Sequence, residues 1–247
     1  PTPSSKSLSP KSLPAIALAK EGLNPLVIIP FLFTFYILHF TLGLWRSDLF
    51  YSQGLKQSKK GQYYEAYQNF YQAIKIAPNE PVFLNEISAS AASLAYNLNQ
   101  NDASTAAELT QLAIDYSDRA RKISPANLNI LKTRVKVFYT LSAIKPDYLT
   151  EAVAALKEAM KLAPTDPKLV YNLGLLYGKQ LQTQLAVETV EKAVEMKPNY
   201  IDARNALSIF YEDLGQKEKA FDQLQILLKL SPENKTEFDK RTKTLNP

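Results

Sequence analysis

From Leu26 to Trp45 the chain reads "LVIIPFLFTFYILHFTLGLW", an apolar run with no charged side chain. Beyond Trp45 the pattern changes. Apolar residues now return at intervals of three and four, as in "KLVYNLGLLYGKQ", where Leu173 and Tyr177 fall on one face of a helix. Polar turns such as "NQND" separate these amphipathic stretches, and nothing in the pattern alternates with the period of a strand. The expected fold class is therefore all-α: one long hydrophobic helix followed by many shorter helices with a single buried face each.

The shorter helices repeat. Pro164, Pro198 and Pro232 are spaced 34 residues apart, and small or apolar residues recur in register between them. Gly174 matches Ser208, Ala186 matches Ala220, Leu173 matches Leu207 and Tyr177 matches Tyr211. Upstream, Gly54, Ala66, Phe70, Ala73 and Pro78 hold the same relative places. Small side chains at Gly174 and Ala186 let two backbones approach, while each proline stops the second helix of a pair. These residues and offsets resemble the tetratricopeptide repeat (TPR), a helix–turn–helix unit. The resemblance implies a right-handed superhelical solenoid that acts by binding proteins.

Two units depart from the period. Pro78 and Pro125 are 47 residues apart, which predicts two long helices, about 81–98 and 103–122. Pro125 and Pro164 are 39 apart, and the excess falls in "SAIKPDYLT", a lengthened turn. Five repeats follow: 47–80, 81–127, 128–166, 167–200 and 201–234. The expected organisation is a Ser/Pro-rich arm at 1–24, the hydrophobic helix at 25–46, the repeats at 47–234 and a polar cap or tail at 235–247. A cap of that kind gives the last repeat a soluble outer face.

As a helix, Leu26 to Trp45 would span roughly 30 Å, the thickness of a bilayer's hydrocarbon core. Trp45 stands where an interfacial anchor belongs. A secretory signal fits less well, because the run is long and no small-residue cleavage site follows. Lysines and arginines on the two sides nearly balance, so charge gives no orientation. Three fates for the segment follow: burial in lipid, burial between copies of the chain in a filament at the cell surface, or burial as an ordinary core helix under the solenoid. The chain begins at Pro1 and holds only Met160 and Met196, which points to a processed product or a piece of a longer protein. The arm "PTPSSKSLSPKSLP" is expected to be held against something, such as a neighbouring copy. The span followed by "LWRSDLFYSQGLKQSKKGQYYEAYQNFYQAIKIAPNEP" and further repeats also resembles the C-terminal part of bacterial O-antigen ligase/polymerase-type membrane proteins. That family's catalytic membrane bundle is not in this sequence, so its glycan chemistry falls on no residue here.

Composition narrows the function. There is no Cys and a single histidine, His39, inside the apolar run, so a His/Cys metal site has no donor set. No phosphate-binding loop or dinucleotide fingerprint occurs; "GKQ" at 178–180 lacks the glycines and the hydroxyl. The 29 basic and 24 acidic residues are interspersed and the net charge is only +5, which suits solvated helix faces better than a nucleic-acid surface. The reading is non-catalytic, with no cofactor, metal or small-molecule substrate, and with a protein or a further copy as partner. The TPR resemblance places a peptide groove on the first helix of each repeat. Its offsets fall on Tyr51, Leu55 and Lys59; Asn85 and Ala89; Lys132, Lys136 and Tyr139; Lys168, Tyr171, Leu175 and Lys179; and Asn205, Ile209, Glu212 and Asp213. The middle of this set is basic and aromatic and would suit an extended acidic peptide. The family's carboxylate clamp is represented only by fragments, Lys168 and Asn172.

Overall fold

The computed structural model describes residues 25–232 and 235–245. The arm at 1–24, with the contact expected of it, lies outside them. Among the described residues every regular element is a helix. They are α1 (Pro25–Lys59), α2 (Tyr63–Ile76), α3 (Pro81–Leu98), α4 (Ala103–Ile123), α5 (Leu128–Leu141), α6 (Tyr148–Leu162), α7 (Pro167–Lys179), α8 (Thr183–Met196), α9 (Ile201–Asp213), α10 (Lys217–Leu230) and α11 (Lys235–Leu245). Two units divide the chain between Arg46 and Ser47.

In the second unit, helices pair in sequence order, α3 with α4, α5 with α6, α7 with α8 and α9 with α10, and each pair packs on the next. The result is the helix–turn–helix solenoid expected from the 34-residue period. The first helices of successive pairs also touch, α3 with α5 and α7 with α9.

The prolines explain why the pairs end alike. Ala77, Ser124, Ala163, Lys197 and Ser231 each precede a proline and take φ between −123° and −141°, outside the helical region that a following proline disfavours. Each still donates its N–H back four residues, to the carbonyls of Ala73, Ala120, Ala159, Ala193 and Leu227. Those four alanines and Leu227 are fully buried, so the stop signal and the core contact share one turn.

The turns inside pairs are equally regular. Gln62, Gln182 and Gln216 donate N–H to the carbonyls of Gln57, Tyr177 and Tyr211, closing the same helix-ending loop. The residue before each glutamine is left-handed: Gly61 (φ +75°), Leu181 (φ +60°) and Gly215 (φ +71°).

Close packing uses the small residues. A Cβ on Gly174 would run into Val190 Cγ2 and sit 3.2 Å from the Ala186 carbonyl oxygen. A Cβ on Gly178 would sit 2.6 Å from the Phe210 ring of α9, and one on Gly54 the same distance from Phe70. The lengthened second pair instead packs through Ala91, Ala92, Ala95, Ala106 and Ala113, all buried. The polar C-terminal stretch forms α11, which buries Phe238 against Leu224 and Leu227.

Candidate functional site

The predicted groove residues are distributed over several concavities. Four of them, Tyr51, Asn85, Lys132 and Lys136, line a concavity of about 440 Å³ together with Val82, Glu86, Asn127, Asn129, Ile130 and Thr133. α1 supplies Tyr51, α3 supplies Val82, Asn85 and Glu86, and α5 supplies Asn129, Ile130, Lys132, Thr133 and Lys136. Tyr51 is fixed by stacking on Phe83 at a centroid distance of 4.9 Å. Asn85 is 6% exposed, and its Nδ2 donates to Thr133 Oγ1 at 3.0 Å and to Glu86 Oε1 at 3.1 Å. It therefore joins α3 to α5 before it can meet any ligand.

Charge in this concavity is mixed. Burial raises the Glu86 carboxyl, while the Asn85 amide and the Lys136 ammonium pull it back down. Burial also raises the Tyr51 phenol, helped by the nearby Glu86 and Glu80 carboxylates. Lys136 and Lys132 stand exposed on the rim. Lys132 also faces a smaller concavity of about 230 Å³ with Lys168, Asn172 and Val135. There it pairs with Asp166 at 3.4 Å, while Asp166 caps α7 by accepting from the Lys168 N–H at 3.0 Å. Three lysines thus follow the first helices of two repeats.

The other candidates fall elsewhere. Tyr139 and Lys179 line a third concavity, described below with its own neighbours. Tyr171 is half-buried with its ring tilted onto Tyr200 at 5.1 Å, and burial followed by the Asp202 charge raises its phenol. Leu55 packs on the first pair's core, Leu175 is half-buried, and Lys59, Ile209 and Asp213 are exposed. Asn205 and Glu212 are occupied from within the chain. The Arg241 guanidinium of α11 donates to Asn205 Oδ1 at 2.8 Å and to Ser208 Oγ at 2.9 Å, and pairs with Glu212. Arg241 thus ties α11 to three side chains of α9. Nothing in the periodicity flagged this contact; the only sequence signal was an arginine in the polar tail.

Among the described residues no group of three or more His, Cys, Asp or Glu side chains is placed to hold a metal. The surface offers ammonium groups, amides and aromatic rings, which bind and orient but supply no nucleophile with an activating base.

Residues 167–200, α7 and α8 with the following turn, match the tetratricopeptide repeat family profile. The uncharacterised protein ycf37 of Pyropia yezoensis is 34% identical over 93 residues, 36% of this chain and 52% of that protein. A UDP-N-acetylglucosamine–peptide N-acetylglucosaminyltransferase of Giardia intestinalis is 24% identical over 101 residues, 41% of this chain and 7% of the enzyme. The chain thus spans about half of one relative and a small part of the other. Among solved structures, the TPR protein TTC0263 of Thermus thermophilus superposes with a TM-score of 0.55 at 19% identity, covering 81% of this chain and 98% of its own. At that identity the likeness shows the fold, a TPR solenoid.

Proposed function

We propose that this chain is a non-catalytic interaction scaffold, tethered to a membrane by α1, whose first helices bind an extended acidic segment of a protein partner. One observation carries the tether. Phe31, Leu32, Phe33, Phe35 and Tyr36 are each between 59% and 69% exposed on α1, and the apolar side chains continue exposed to Leu44 and Trp45. Apolar surface of that extent has to be removed from water. Its length matches a bilayer core, and Trp45 beside Arg46 suits the headgroup boundary. Lys132, Lys136 and Lys168, set among the amides of Asn129 and Asn172, support the acidic partner. The resemblance to O-antigen ligase/polymerase-type proteins adds a specific version: α1 as the last span of a longer membrane protein, and the solenoid as its accessory recruiting arm.

Fractionation of cells producing the full chain tests the tether. The chain should remain with membranes through an alkaline carbonate wash and leave only with detergent. Phe35→Arg with Leu38→Arg should move it to the soluble fraction. Regular fibres free of lipid in electron micrographs would overturn the tether and support burial of α1 between copies.

A further inference from the structure

Tyr139 and Lys179 share a slot of about 560 Å³ with Tyr96, Pro146 and Leu149. It sits at the C-terminal ends of α3, α5 and α7, and its wall is the turn between α5 and α6. Both departures from the 34-residue period meet here: the lengthened α3 carries Tyr96, and the lengthened turn carries Pro146. An ordinary repeat would lack both.

Two observations mark the slot as a binding surface. Tyr96 and Tyr139 leave 53% and 45% of their area exposed, and both line the slot from neighbouring helices. Among the described residues, Lys179 is the only charged side chain lining it. The neighbouring Lys145 and Asp147 pair with each other at 3.1 Å, and Lys179 makes no ion pair among the described residues.

We infer that the slot is an anchor site for a partner peptide in which a large apolar side chain stands next to a carboxylate. The apolar side chain enters against Tyr96, Tyr139 and Leu149, and the carboxylate meets the Lys179 ammonium. This rests on the scaffold reading above and deepens it: lysines elsewhere attract the acidic segment, while this slot fixes its register.

The test uses the full chain in detergent and two fluorescein-labelled, amidated peptides, Ser-Gly-Ser-Asp-Leu-Phe-Glu-Ser-Gly-Ser and the same peptide with Ala-Ala for Leu-Phe. Fluorescence anisotropy should show the Leu-Phe peptide binding about tenfold or more tightly, the scale of one buried apolar side chain. Tyr96→Ser with Tyr139→Ser should abolish that preference while the helical circular dichroism spectrum is retained, because neither ring lies in the core. Lys179→Glu should weaken both peptides. Equal binding of the two peptides, or a preference that survives loss of both tyrosines, would overturn the slot. If in that case Lys132→Glu with Lys136→Glu still released both peptides, the acidic-groove reading would stand alone. No binding of either peptide at about 1 mM would overturn the slot and the acidic groove together.

Discussion

At Leu181 and Gly174 the backbone constrains the sequence in opposite ways. Leu181 holds φ +60° with its side chain in solvent, whereas the matching turns use glycine. Leu181→Gly should therefore stabilise the fold by about 0.5 kcal/mol, the left-handed strain relieved less the added freedom of glycine when unfolded. Chemical denaturation of the two chains measures the difference, and a lower midpoint for the glycine variant would contradict the reading. Gly174 is the opposite case. Its missing Cβ makes room for Val190 and the Ala186 backbone, so Gly174→Ala should destabilise by about 1–3 kcal/mol through overpacking. An unchanged midpoint would mean that α7 and α8 can separate without penalty.

At the scale of helices, capping and buried phenols make separate demands. Asp166 closes the first turn of α7 through the Lys168 N–H, and Asp166→Ala should cost about 1 kcal/mol and also free Lys132. Tyr67 lies between the first two pairs. Burial first, then the neighbouring Tyr116, pushes its phenol up from 10.0 to about 12. The folded state therefore holds this proton more tightly than the unfolded chain does. Its contribution is complete below pH 10 and is lost as pH rises toward about 12. Urea midpoints across that window should fall, and Tyr67→Phe should flatten the decline; parallel slopes for the two chains would contradict it. The pairing of helices was legible in the sequence because Pro164, Pro198 and Pro232 each fix both a chain direction and a buried turn. The lengthened 81–98 and 103–122 helices were legible for the same reason. Function was less so. Asn85 and Asn205 stand at groove offsets, yet both bond to the second helix along, Asn85 to Thr133 of α5 and Asn205 to Arg241 of α11. Sequence offsets mark which residues a first helix can present on one side, but not whether a neighbouring helix takes them first. The slot around Tyr139 was hidden for a related reason, since its walls come from residues that break the period.

For the whole molecule, function turns on what covers α1. The solenoid buries Leu84, Leu131, Leu156, Leu169 and Leu224 in its own core. Among the described residues, the stretch from Ile29 to Leu44 leaves its apolar side chains largely exposed. A tether and a filament contact would both satisfy it, but only lipid would surround it with acyl chains and place its end at a headgroup layer. Trp45 reports on this directly because it is the chain's only tryptophan and stands at that end, 60% exposed. The decisive measurement is Trp45 fluorescence of the full chain reconstituted into phosphatidylcholine vesicles carrying a spin label at the headgroup or deep in the acyl chain. With α1 in lipid, emission should be blue-shifted and quenched more strongly by the headgroup label than by the deep one. Emission unaltered by lipid and insensitive to both labels would contradict the membrane tether.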